Sequence, residues 1–217
     1  NVPGDISSCS FFIVLTLLSE NSKLKIKNVN TNNSRLGVLK ILNRMNANII
    51  ATNKRSYKGE TISDLIIKSK KNLKGINCPK NLNSSAIDEF LIIFIAAAKA
   101  KGVSTFSDLG ELNKKESPRL NIAINFLKKI GVKVLREKNN IRIYGNPKLY
   151  LNGNFTMKNF RKDHRVFMMT CIAALSLGGK WKIYDRDSIN SSFPKFLNII
   201  KQLGAKINWE EKRELLL

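Results

Sequence analysis

Three nearly all-apolar stretches punctuate the chain: SSCSFFIVLTLLSE after Asp5, EFLIIFIAAAKAKG after Asp88, and HRVFMMTCIAALSLGG after Asp163. Helix-length runs that are hydrophobic all round predict helices buried on every side, with Phe167, Met168 and Met169 as core residues. Each run passes into alternating apolar and polar residues, KLKIKNV, VSTFSDL and KWKIYDR, the pattern of half-buried strands. A second, more amphipathic helix follows in every copy: RLGVLKILNRMNANI, PRLNIAINFLKKIGVKV and FPKFLNIIKQLGAKI. These helices stop at Asn46, Gly131 or Gly204, residue types that tolerate a left-handed C′ position, and short strands restart at Asn48-Ile49, Lys133-Val134 and Lys206-Ile207. Ser34, Ser117 and Ser192 are expected N-caps, with Pro118 and Pro194 in the first turn.

The pattern is a repeat of helix, strand, helix and strand, in copies covering approximately residues 1–83, 84–158 and 159–217. The stretches 54–83 and 136–158 hold strand-like pieces, DLIIKS and IRIYG, that complete the units. The predicted fold is α/β (α+β): one pseudo-threefold domain over 1–217, with the three apolar helices packed together in the middle and the strands outside.

Composition narrows the reading further. At 43% hydrophobic and 25% charged residues over 217 positions, the chain is globular rather than disordered. Lys and Arg total 38 against 16 Asp and Glu, a formal charge of +22, so nucleic acid, an acidic membrane or small phosphorylated anions are the classes of partner to weigh. An Asn, Lys and Ile bias along the whole chain offers a plainer origin for that charge. Cys9, Cys78 and Cys171 lie far apart, with no CxxC or Cys/His cluster; this argues against disulfides and structural zinc and fits a reducing cytoplasm. The runs 11–18 and 90–98 are far shorter than the roughly 20 residues that span a bilayer, so no membrane association is expected. No Gly-rich nucleotide loop, metal-ligand cluster or Ser-His-Asp arrangement is present, so no cofactor or metal is implied. A start at Asn1 rather than Met reads as a fragment or processed piece.

If the helices of the units run roughly parallel, their N-termini gather on one face, where free N–H groups and partial positive charge attract anions. The residues there carry chemistry. The second copy has Glu111, Lys115, Glu116, Ser117 and Arg119; the third has Asp163, His164 and Arg165. Arginines at such starts suit bidentate contacts to phosphate or carboxylate, and a carboxylate accompanies each. Arg35, ahead of the first copy's second helix, has no assignable role.

Five segments in register, Val2-Pro3-Gly4-Asp5-Ile6-Ser7-Ser8, Ile87-Asp88-Glu89-Phe90, Lys115-Glu116-Ser117 to Arg119, Asp163-His164-Arg165 and Ser192-Phe193-Pro194, resemble the C-terminal half of the 5-enolpyruvylshikimate-3-phosphate synthase family, over nearly the whole chain to about Asn208. The resemblance implies half of a two-domain fold of three βαβαββ units per domain, with the N-terminal partner domain absent. It implies transfer of the enolpyruvyl group of phosphoenolpyruvate to the 5-hydroxyl of shikimate 3-phosphate, in the cytoplasm, by a protein that is monomeric when full-length. Carried over by residue, Asp88 accepts the hydroxyl proton and Glu116 is the acid/base at the methylene carbon. Asp88 also contacts shikimate 3-phosphate, Lys115 and Glu111 touch the shikimate side, Arg119 and Arg165 clamp phosphoenolpyruvate, and Asp163 and His164 support that clamp. Pro118 stands where the family usually has Asp, and Ser191 where some members have a Lys. Because the family's other substrate-binding segments are absent, the chain is expected to be inactive alone. Two alternatives remain: a basic repeat module binding nucleic acid, disfavoured by only 8% aromatic residues and scattered lysines, and an enolpyruvyl transferase acting on a nucleotide sugar.

Overall fold

The computed structural model describes residues 2–208 and 214–216. The first unit opens at Gly4, which pairs in parallel with Val29. It continues through α1 (Ile6–Leu18), β1 (Lys23–Asn30), α2 (Gly37–Arg44), β2 (Asn48–Tyr57) and β3 (Glu60–Lys68), with sheet order β1-β3-β2 and both pairings antiparallel. The second unit opens at residues 74–77, with parallel bridges from Lys74 to Lys101 and from Asn77 to Thr105. It contains the short α3 (Asn83–Ala86), α4 (Phe90–Ala98), β4 (Gly102–Phe106), α5 (Arg119–Lys129), β5 (Val134–Glu137) and β6 (Asn140–Gly145), in the order β4-β6-β5. The third has β7 (Leu151–Met157) parallel to β8 (Gly178–Tyr184), with β9 (Glu214–Leu216) antiparallel on the other side of β8; α6 (His164–Leu177) and α7 (Phe196–Gln202) complete it.

The core lies where the apolar pattern puts it. α1, α4 and α6 touch one another, all nine residues of α4 are buried, and Phe167, Met168 and Met169 are buried as expected. Each large apolar side chain taken out of water there contributes roughly 1.5–3 kcal/mol. The amphipathic helices link the units: α2 packs on α4, α5 on α4 and α6, and Phe193 and Phe196 at the start of α7 pack on Phe12 of α1. A second helix thus leans on the next unit's core helix, which brings the starts of different units together.

Several local expectations need correcting. By strand pairing the unit divisions fall before 83/84 and 158/159, because the parallel strand that opens each unit precedes its core helix. Asn46, Gly131 and Gly204 do take positive φ, at 67°, 79° and 96°. The three serines, however, do not cap the second helices. Asn32 accepts from Ser34 N in a separate 3-10 turn, Ser117 turns inward, and α7 begins after Lys195 with no side-chain cap. α2 starts late, at Gly37, where a Cβ would lie 2.5 Å from the Ser85 backbone of α3. Lys206 and Ile207, where a strand is expected, are irregular and lead to a bridge at Asn208. Among the described residues no single helix is long and apolar enough to cross a membrane.

Candidate functional site

Arg119 opens α5 and is 1% exposed, the largest fully buried side chain. Its Nε donates to Asp163 Oδ2 at 2.9 Å, Nη1 to Asp88 Oδ1 at 3.2 Å, and Nη2 to Glu116 Oε2 at 2.5 Å and Asp163 Oδ1 at 3.3 Å. A guanidinium is tolerated at this depth only because carboxylates meet its fork of donors. Asp163 is fully enclosed and does two further jobs. Its Oδ1 accepts from Arg165 N at 2.9 Å, capping α6, and its Oδ2 accepts from Ser117 Oγ at 2.8 Å. Burial pushes the Asp163 carboxyl up in pKa, but the hydrogen bond and charge of Arg119, with the Ser117 hydroxyl, outweigh it and hold the group below the usual carboxylate range.

Asp88, two residues before α4, collects three cations. Lys115 Nζ lies 3.3 Å from Oδ1, Arg119 Nη1 3.2 Å from the same oxygen, and Arg165 Nη2 3.7 Å from Oδ2. Arg165 Nη1 also donates to the Asp88 carbonyl at 3.1 Å. Burial raises the Asp88 pKa, yet Arg165, Lys115 and Arg119 together leave it lowered, so it is ionised at neutral pH. Asp88 makes no cap to α4, whose first turn lacks a side-chain cap altogether.

The expected residues therefore converge, with differences in access. Asp88, Lys115, Glu116, Arg119, Asp163 and Arg165 form one network, and Arg119 and Arg165 point to the same carboxylate. Arg165 (15% exposed) and Lys115 (30%) are the reachable cations, whereas Arg119 lies beneath, covered on its Nη2 side by the half-exposed Glu116. His164 is half-buried beside the network; burial first, then the Arg165 charge, lowers its pKa and keeps it neutral at pH 7. Glu111 is exposed and paired with Lys114 at 2.8 Å. Lys114 and then Lys115 pull its pKa down. A cleft of about 590 Å³ between Asn77, Thr105, Arg136 and Arg142 lies on the second sheet and includes no network residue; the paired charges mark the better site.

Two members stand in the sequence motifs without a role in the site assigned to them. Ser117, expected as a helix cap, instead donates its hydroxyl to Asp163, a contact that only the tertiary structure shows. Glu89 is 4% exposed and lies 4.0 Å from Arg165 Nη1; an acid at the head of an otherwise apolar run was its one signal. Arg35 also finds partners, donating to Asp5 Oδ1 at 3.0 Å and Ser7 Oγ at 3.2 Å. Three cations face four carboxylates in the network, so its own charge is close to balanced; attraction for anions comes from the helix starts and the +22 of the whole chain.

An EPSP synthase structure from Acinetobacter baumannii superposes with a TM-score of 0.90 at 33% identity, over 97% of this chain and 48% of that one. The enolpyruvyl transferase NikO from Streptomyces tendae shares the fold, with a TM-score of 0.60 at 11% identity. Three α/β units gathering helix starts, arginines and carboxylates on one rim thus form a lobe of the enolpyruvyl transferase fold. At the sequence level, the family described as EPSP synthase (3-phosphoshikimate 1-carboxyvinyltransferase) matches residues 1–200. The 3-phosphoshikimate 1-carboxyvinyltransferase of Petrotoga mobilis is 39% identical over 204 residues, 94% of this chain and 46% of the relative, and that of a Thermoanaerobacter species 37% identical over 93% and 47%. The chain belongs to the EPSP synthase family, and it spans about half the length of the curated relatives it matches.

Proposed function

We propose that this chain is one lobe of an enzyme that transfers the enolpyruvyl group of phosphoenolpyruvate to the 5-hydroxyl of shikimate 3-phosphate, completed by a second, N-terminal lobe. The observation that carries the reading is the convergence of Lys115, Arg119 and Arg165 on Asp88, between carboxylates able to move protons. Two highly anionic substrates must be held together against their repulsion, which needs fixed cations rather than mobile ones. Arg165 and Lys115 are reachable from the rim; Arg119 becomes available to phosphoenolpyruvate when Glu116 turns away from its Nη2. That motion frees the Glu116 carboxyl to act at the methylene carbon. Bound anions also neutralise the cations around Asp88, so its pKa rises and it becomes a better acceptor for the 5-hydroxyl proton. Asp163, Ser117 and neutral His164 hold the arginine frame, and Glu111 flanks the shikimate side.

The balanced charge of this network, and the half-length match, support a site closed by further cations from the opposite lobe. The test is phosphate release from phosphoenolpyruvate in the presence of shikimate 3-phosphate. An enzyme assembled from this chain and the N-terminal lobe of a relative is expected to release phosphate and to lose that activity in Asp88→Asn, while the 217-residue chain gives none. Product formed by the chain on its own, or an assembled enzyme that binds both substrates and forms no product, would overturn the proposal.

A further inference from the structure

Glu89 is a costly residue without a local purpose. It immediately precedes α4 but its side chain makes no cap, and it is buried at 4% exposure. A buried carboxylate loses several kcal/mol of hydration unless charges and hydrogen bonds replace it. Its replacements come from the other two units. On one side Arg165 Nη1 of α6 lies 4.0 Å from Glu89 Oε1 while bonded to the carbonyl of Asp88. On the other, Ser7 of α1 and, from farther off, Arg35 favour the charged form of the carboxyl. Arg35 is itself fixed to Ser7 and Asp5.

The arrangement has a consequence for Arg165. Its other acidic partner, Asp88, is shared with Lys115 and Arg119, and under the function proposed above Asp88 changes its protonation and partners during the reaction. The bond from Nη1 to the Asp88 carbonyl is unaffected by that change, but a guanidinium whose only charged partner was the Asp88 carboxylate would pivot about that bond at the moment it must hold an anion still. From the geometry we infer that Glu89 is a positioning residue: with Ser7 and Arg35 behind it, it helps to fix the orientation of the Arg165 guanidinium independently of the Asp88 carboxylate. The inference rests on the reading that Arg165 grips an anionic substrate, but the orientation itself can be measured without that reading.

Burial pushes the Glu89 pKa up, and the Asp88 charge adds to this, against the opposing pull of Ser7, Arg165 and Arg35. A carboxyl raised in the fold contributes stability only at low pH and loses it as pH rises through the folded pKa. Glu89→Gln at pH 7 is therefore expected to leave the denaturation midpoint of the 217-residue chain unchanged or higher. The decisive readout is nitrogen-15 NMR of arginine side chains, with the Arg165 signals assigned by their loss in Arg165→Lys. Resolved, slowly rotating Nη signals are expected in the unsubstituted chain and averaged ones in Glu89→Gln. Ser7→Ala, which removes the brace behind Glu89, should give a smaller change in the same direction and serves if Glu89→Gln does not fold. Phosphoenolpyruvate titrated into the same samples should bind on the order of tenfold more weakly to Glu89→Gln, the scale expected for loss of a fixed geometry. Arg165 signals as slow in both variants as in the parent overturn the inference. Failure of phosphoenolpyruvate to bind the parent chain, with the Arg165 signals changing as expected, counts instead against the anion-gripping role of Arg165 and leaves the positioning of its guanidinium supported.

Discussion

Asp163→Asn is the sharpest probe of the buried network. The substitution keeps the shape of the side chain and leaves Oδ1 able to accept from Arg165 N, so the cap of α6 survives. What it removes is the charge facing Arg119, which at 1% exposure cannot turn to water. Breaking one partner of a buried pair typically costs about 3–5 kcal/mol. Asp88 and Glu116 still meet Arg119, so the loss should fall at the lower end, about 3 kcal/mol. Asp163→Ala should cost about 1 kcal/mol more, because the cap and the acceptor for Ser117 Oγ go as well. Urea denaturation followed by circular dichroism measures both without screening the charges, as guanidinium would. With a slope of about 2 kcal/mol per molar, Asp163→Asn moves the midpoint down by more than about 1 M. A double-mutant cycle with Arg119→Met should return a coupling of about 1–3 kcal/mol. Additive effects in that cycle, or an Asn variant within about 0.5 kcal/mol of the parent, would refute the view that this pair is a buried, mutually dependent unit.

Acid should act through the depressed carboxylates. Asp64, buried at the centre of β3, accepts from Asn28 N at 3.0 Å and Asn53 Nδ2 at 2.9 Å, and the first of these bonds does most to hold its pKa down at about 2. Its stabilisation, with that of Asp88 and Asp163, is complete above the unfolded value of about 3.9 and is lost as pH falls through the folded values. Urea midpoints measured from pH 6 downward should therefore drop steeply below about pH 4, and less steeply in Asp64→Asn. At Gly145 in β6, an added Cβ would lie 2.2 Å from Ala100 O and 2.5 Å from Ala97 O, backbone atoms that cannot yield cheaply. Gly145→Ala should cost roughly 1–3 kcal/mol by crowding. Gly131→Ala meets open space but must hold φ of +79°, and should cost about 1–2 kcal/mol through backbone strain, both read as shifts in thermal midpoint.

What was legible in the chain beforehand was whatever depends on neighbours in sequence. A helix that is apolar at every position, as α4 is, or at nearly every position, as in α1 and α6, leaves little face for water, so these three belong at the centre. Asp5 and Asp163 announce helix starts because a carboxylate can reach the free N–H groups of the next turn, and both do so. Asn46, Gly131 and Gly204 mark helix ends because those residues accept a left-handed backbone. The order of the motifs pointed to the family for a similar reason: each is a short contiguous string.

Tertiary structure decided everything that couples distant positions. Leu151–Met157 carries little strand alternation and becomes β7 only because β8 offers it a parallel edge. Ser117 looked like a cap and became a donor to Asp163, 46 residues away, once α5 packed on α6. Arg119, expected to clamp phosphoenolpyruvate, is enclosed by docking of the units among acids supplied by three separate segments. Glu89 gained its partners from α1 and α6, neither of which is near it in sequence. Residue type reports which groups seek company; whether a charge ends in water or facing another charge is set by which surfaces meet, and that energy is nonlocal.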